Sequence, residues 1–256
     1  MPRDDAETTT RAATEPSRPV VASDLDHYPK PSLAVDVVVL TVDGEDLRVA
    51  LYQRSIAPEV GSYALPGGFV NIDESLEDAA TRLMSAKVGL EGVFIEQLYT
   101  FGDVGRDPRG RVVTVAYYAL VDARRFHVKV ELRPATVQAR IIVPWRGETG
   151  GPVEVVDEAG RTLPLFLDHA DVLGLAVKRL RGKLDYTPIG FQLLPDQFTL
   201  RDLQAIHEAV RGEPLNKDSF RRRMLASGQL EATGAREKDV PYRPAELYRF
   251  SRRSAT

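Results

Sequence analysis

Gly67-Gly68-Phe69-Val70-Asn71-Ile72-Asp73-Glu74 runs directly into Ser75-Leu76-Glu77-Asp78-Ala79-Ala80-Thr81-Arg82-Leu83-Met84-Ser85-Ala86-Lys87-Val88-Gly89-Leu90. A glycine pair, led in by Leu65-Pro66, interrupts β-branched text. A helical pattern then opens at Ser75 and runs to Lys87, with Leu76, Ala79, Ala80, Leu83 and Met84 at helical spacing. Glutamate six residues after a glycine, arginine eight after that, and a second glycine closing the helix make a loop–helix–loop with fixed spacing.

Upstream, Leu33–Val42 and Leu47–Arg54 are β-branched runs around the turn Asp43-Gly44-Glu45-Asp46, and the pattern predicts a hairpin. Downstream, strands are expected at Val93–Phe101 and Arg111–Val121, joined by a loop dense in Gly, Pro and Arg. Residues 122–166 hold short β-like pieces, Trp145 and a glycine-rich turn at Gly147–Gly151. Asp168 is expected to cap a helix reaching Leu180, stopped by Gly182. These residues, 31–182, read as one α/β (α+β) domain. Residues 1–30 have no apolar periodicity and are expected to form a flexible tail.

A second text begins after a linker at 183–190, whose Tyr186–Gly190 is a place for a change of angle between domains. In residues 191–256, Thr199 caps a helix to Val210, Gly212-Glu213-Pro214 turns the chain, and Asn216 caps a helix from Lys217 to Ala226. Two short strands around a basic loop follow. Helix, tight turn, helix and β-ribbon is the order of a winged helix-turn-helix.

The 256-residue chain has no cysteine, which excludes a disulfide scaffold, a thiol nucleophile and a Cys-ligated zinc site. No apolar run approaches the ~20 residues of a membrane span, and acidic residues stand where a secretory signal places its apolar segment. A soluble, cytoplasmic protein with no membrane partner is expected. The net charge of −3 weighs against nucleic acid only as an average. Residues 191–256 carry twelve Lys/Arg against nine Asp/Glu, and residues 1–190 carry 22 against 28. The excess positive charge sits on the winged-helix text.

Gly68, Glu74, Arg82, Gly89 and Leu90 resemble the Nudix box at its spacing. The resemblance implies an α/β/α sandwich, with a helix whose glutamates hold the divalent metals of diphosphate hydrolysis. Those glutamates are replaced here by Leu83, Ala86 and Lys87. The first two positions offer no carboxylate and the third has the wrong charge, so loss of hydrolysis and no bound metal or other cofactor are expected. Lys87 is placed to offset diphosphate charge in a metal's stead, against the simpler reading of a solvated helix-end lysine. Arg54, Gly67, Gly68, Glu74, Arg82, Lys87, Phe101, Arg106 and Arg111 are the candidate ligand contacts. Arginine forks suit phosphate, Phe101 is placed for base stacking, and Arg82 has the alternative of bracing the loop through Glu74.

On the helix Lys217–Ala226, Phe220 and Met224 face inward at a four-residue step, which turns Arg222 outward. Thr199, Arg201, Asn216, Lys217, Ser219, Arg221, Arg222, Arg223, Arg236, Lys238 and Arg243 are the candidate DNA contacts, against the simpler reading of a solvated basic face.

From Phe191 to Gly234, and again at Arg243–Phe250, the text is similar to the Nudix-related transcriptional regulators of NAD metabolism, the NrtR family. The loop Phe101–Val121 and the stretch Leu167–Pro188 share the likeness. The resemblance implies a homodimeric repressor of NAD biosynthesis or salvage genes, bound to double-stranded operator DNA and released by ADP-ribose. Two alternatives stand beside it: a divergent Nudix hydrolase of ADP-ribose or another nucleoside diphosphate derivative, and a sugar-responsive regulator of the same architecture.

Overall fold

The structure, a computed structural model, describes residues 27–251. The expected tail lies outside the described residues except for its last four positions. β1 (Ser32–Asp43) is the centre of a mixed sheet. It runs parallel to β6 (Val112–Leu120), from Ser32 opposite Val112 to Leu40 opposite Leu120. It turns at Asp43–Asp46 into antiparallel β2 (Asp46–Gln53), as the hairpin pattern predicts. β5 (Phe94–Phe101) extends the sheet beyond β6, and β7 (Thr136–Ile142) and β8 (Glu154–Val156) extend it beyond β2. Two short strands finish it: β3 (Tyr63–Ala64) on β2 and β4 (Gly67–Phe69) on the first half of β1.

β1 is apolar on both faces because both are covered. On one side Val35, Val37 and Val39 meet α1 (Leu76–Val88) through Ala79, Ala80, Leu83, Met84 and Val88, and α2 (Ala123–Glu131) through Phe126 and Val130. On the other, Val38, Leu40 and Tyr118 meet α3 (His169–Lys183) through Val172, Leu173, Ala176, Val177 and Leu180. Each large aliphatic side chain so buried contributes about 1.5–3 kcal/mol. The result is the helix–sheet–helix sandwich that the box implies.

α1 follows its signals: the Ser75 hydroxyl accepts from the Asp78 N–H at 3.1 Å, and Gly89 ends the helix at φ +72°. α2 is missing from the sequence reading because Arg124, Arg125, His127 and Lys129 dilute a pattern with only Phe126 and Val130 buried. α3 departs from it at both ends. Asp168 precedes the helix without making a side-chain cap bond, because its carboxylate is held by Arg106. Gly182 lies inside the helix, which continues to Lys183.

After α3 a 3-10 turn (Pro188–Leu193) leads to α4 (Leu200–Arg211), α5 (Lys217–Ala226) and the ribbon of β9 (Leu230–Arg236) with β10 (Glu246–Phe250). Phe198, Leu200, Leu203, Phe220, Met224 and Tyr248 form their small core. Phe198 and Tyr248 exchange backbone hydrogen bonds of 3.0 and 2.8 Å, pinning the entry of α4 to the ribbon. The segment read as a linker is packed: Leu184, Ile189 and Gly190 are buried. None of the described helices is long and apolar enough to cross a membrane.

Candidate functional site

Glu74 and Arg82 clasp each other across the loop that precedes α1. Arg82 donates from Nε to Glu74 Oε2 at 2.8 Å and from Nη2 to Oε1 at 2.5 Å, and also to the Phe69 carbonyl at 3.1 Å. The Asn71 N–H donates to the same carboxylate at 2.7 Å. The Arg82 guanidinium, helped by that N–H, lowers the Glu74 pKa to about 2. The pair braces the loop, and its carboxylate has little left for another partner.

The three positions that the box reserves for glutamate diverge. Leu83 is buried among Val35, Val37 and Met84, and its Cδ2 lies 2.8 Å from where a Cβ on Gly68 would sit. Ala86 is exposed. The Lys87 ammonium lies 4.6 Å from the centre of the Tyr52 ring, a cation–π contact. A divalent metal is what the Nudix fold implies, and these residues do not fit one. The remaining glutamate is spent on Arg82, and among the described residues no group of three acidic or histidine side chains is arranged to hold a metal ion.

Beside Lys87 is a cavity of about 340 Å³, lined by Tyr52, Arg54, Lys87, Arg133 and Thr136 among others. None of its lining side chains is acidic. Arg133 reaches it from the loop after α2, donating weakly to the Ser85 and Ala86 carbonyls at 3.4 Å. Sequence reasoning missed Arg133 because the helix that delivers it was missed.

The other expected ligand contacts are engaged in the fold. Arg54 is buried over the Phe166 ring at 3.7 Å and donates to the Pro58, Ile56 and Ala57 carbonyls. The Arg106 side chain is covered and pairs with both oxygens of Asp168, at 2.9 and 2.7 Å. Arg111 donates to the Gly102 and Asp103 carbonyls. Phe101 packs on the α3-side core, edge-on to Tyr99.

A buried polar cluster that the sequence reading did not single out explains the Arg106 geometry. Asp36 accepts from the Thr114 hydroxyl at 2.8 Å, and His169 Nε2 lies 3.7 Å from its other oxygen. His169 Nδ1 accepts from the Leu65 N–H at 3.0 Å, and burial lowers its pKa, so the ring stays neutral. Arg106 stands 3.9 Å from Asp36. Gly67 must be glycine, because a Cβ there would run into the Asp36 carboxylate. The available signal was Asp36 itself, a charge in the middle of a β-branched strand.

The winged-helix residues are placed differently. A groove of about 1180 Å³ lies between α4, the start of α5 and the ribbon. Arg201, Lys217, Arg221, Arg236 and Arg243 come together along it, interspersed with Glu45, Glu208, Glu213, Glu237 and Glu246. Arg222 and Ser219 are exposed on α5, while Phe220 and Met224 face the core, as the spacing predicts. Arg223 lies over the Phe220 ring and 3.9 Å from Asp185. Lys238 is exposed in the loop joining the ribbon strands. Thr199 and Asn216 act as caps: Thr199 is buried in a capping box with Asp202, and Asn216 accepts from the Ser219 N–H at 3.0 Å.

With this geometry, the family model for the NrtR DNA-binding winged helix domain matches residues 190–250, and the NUDIX domain model matches residues 30–145. The ADPR responsive transcriptional repressor NtrR of Acinetobacter baylyi is 37% identical over 226 residues, covering 88% of this chain and 84% of that protein. The chain belongs to the NrtR family. The crystal structure of Shewanella oneidensis NrtR complexed with a 27mer DNA is similar to this NrtR-family chain with a TM-score of 0.70 and 33% identity, over 86% of this chain and 93% of that one. An ADP-ribose pyrophosphatase of Methanocaldococcus jannaschii is 33% identical over 90 residues, covering 35% of this chain and 51% of that protein. That last likeness is confined to part of the chain.

Proposed function

We propose that the protein is a DNA-binding transcriptional repressor of NAD biosynthesis or salvage genes that senses ADP-ribose and does not hydrolyse it. The observation that carries this is the pairing, in one chain, of a basic winged helix with a Nudix sandwich whose metal positions are Leu83, Ala86 and Lys87. The DNA is double-stranded operator DNA, with Arg222 reading a base edge and Arg201, Lys217, Arg221, Arg236, Lys238 and Arg243 meeting phosphates. The working form is a homodimer in the cytoplasm, matched to a two-fold operator. In the sensing domain, Lys87 and Arg133 supply the charge that offsets the ligand's diphosphate, and Arg54 lines the same cavity. Glu74 and Arg82 keep the loop in shape, and Gly67 and Gly68 keep the backbone close to Asp36 and Leu83.

Binding-site selection followed by gel-shift titration tests the reading. A palindromic operator bound in the nanomolar range and released on adding ADP-ribose is expected. Operator affinity that is unchanged at saturating ADP-ribose refutes the sensing half. AMP released from ADP-ribose with Mg²⁺ or Mn²⁺, and abolished in Glu74→Gln, refutes the non-enzymatic half.

A further inference from the structure

The Nudix sandwich and the winged helix share a core. Leu180, Leu184, Ile189, Leu193, Ile206 and Val210 belong to the apolar cluster that contains Val38, Leu40 and Tyr118 of the sheet. The angle between the two parts is therefore set by packing, and one charged side chain is buried within that packing. Arg181, 7% exposed, donates from Nε to the Val210 carbonyl at 2.7 Å. Its Nη1 donates to the carbonyls of Gly147 at 2.9 Å and Trp145 at 3.3 Å. The guanidinium lies 4.7 Å from the Trp145 ring, and Gly212 approaches it so closely that a Cβ there would stand 3.2 Å from Nη2.

Three segments thus converge on one cation: the loop after β7, the end of α3 and the end of α4. The Val210 carbonyl is one of those left without a partner in the last turn of α4, where positive charge is favoured. Among the described residues Arg181 has no carboxylate within ion-pair distance. A buried charge held by carbonyl dipoles and a ring tolerates little displacement, because any shift of either side strands it. At the other end of the same helix Asp168 holds Arg106 and His169 faces Asp36. α3 spans about 22 Å at 1.5 Å per residue, with a polar clasp at each end.

We propose that Arg181 is the positioning residue that fixes the winged helix on the Nudix sandwich and carries the effector's signal to it. This rests on the ADP-ribose reading above. In the operator-binding state the three carbonyls hold Arg181 as seen here, and the effector-bound state opens or rearranges that set.

Trp145 is the only tryptophan of the chain, so its emission reports on this junction directly. In the full-length native protein, emission should change with ADP-ribose at the midpoint found by calorimetry, while operator affinity falls about tenfold or more. Arg181→Met should keep ADP-ribose affinity within about twofold, yet show less than about a twofold change in operator affinity on adding it. Arg181→Lys, which keeps the charge and loses the fork, should fall between the two. A native-sized response in Arg181→Met overturns the proposal, as does a fixed Trp145 emission while operator is released. Should Arg181→Met fail to fold, the native Trp145 titration decides. A native chain that binds no ADP-ribose removes the effector reading alone. The junction is then judged on operator binding, where changed Trp145 emission supports the assignment and unchanged emission overturns it.

Discussion

The basic residues of the Nudix loops and a subset of those on the winged helix are held differently. Arg54, Arg82, Arg106, Arg109 and Arg111 all have carbonyl or carboxylate partners within their own domain. Among the described residues, Arg201, Lys217, Arg222, Lys238 and Arg243 are exposed and have no such partner, whereas Arg211, Arg236 and Arg249 do. Both sets are basic residues in polar sequence, and charge alone does not separate them. An arginine fork that is already satisfied shapes a loop, whereas an unsatisfied one on a convex helix or ribbon is available to a polyanion.

Substitutions on both sides test this contrast. Arg106→Met should have the largest effect, leaving Asp168 without its partner and Asp36 without its nearest cation. A loss of about 3 kcal/mol in urea unfolding is expected, with little change in the salt dependence of DNA binding. His207 gives an effect of similar size through pH. Burial lowers its pKa to about 4, so the unfolded chain takes up a proton that the folded chain refuses. Its contribution is fully present above about pH 6.5 and declines toward pH 4, by up to about 3 kcal/mol. Stability of His207→Phe followed against pH should show a flatter profile over that window.

On the DNA side, Arg222→Ala should lose about 1–3 kcal/mol of discrimination between operator and random duplex, without a change in melting temperature. Equal losses on both duplexes would make Arg222 a phosphate contact. Arg243→Ala should weaken all duplexes alike and flatten the salt slope by about one unit. The smallest effect is expected from Asn216→Ala, about 1 kcal/mol from the lost cap on α5, read by thermal melting.

The contrast also marks what the sequence made legible. Strands β1, β2 and β6 and helices α1, α4 and α5 followed from period and caps, because each buries one regular face or two apolar ones, and the ribbon followed from its place after the second helix. Phe220 and Met224 inward with Arg222 outward needed only the 100° step. What stayed hidden depended on partners distant in sequence. Arg106 reads as a free loop arginine until Asp168, 62 residues away, takes both ends of its fork. Asp168 reads as a helix cap for the same reason. Gly182 reads as a stop, but Leu180 and Leu184 on either side of it are both in the core, and the helix runs on to Lys183. Lys87 could be placed by spacing, whereas the Tyr52 ring and Arg133 beside it could not.

Leu83 has a consequence for the history this chain can have. Its side chain is part of the core over Gly68, so the site is no longer a vacancy waiting for a glutamate. Leu83→Glu would bury a carboxylate among Val35, Val37 and Met84 with no cation inside that cluster. Such a group either expels itself into solvent or accepts a proton, and either route costs several kcal/mol of folding stability. An acidic residue here would require the interior over Gly68 to be repacked first. A glutamate at this position is thus opposed by the stability of the fold itself.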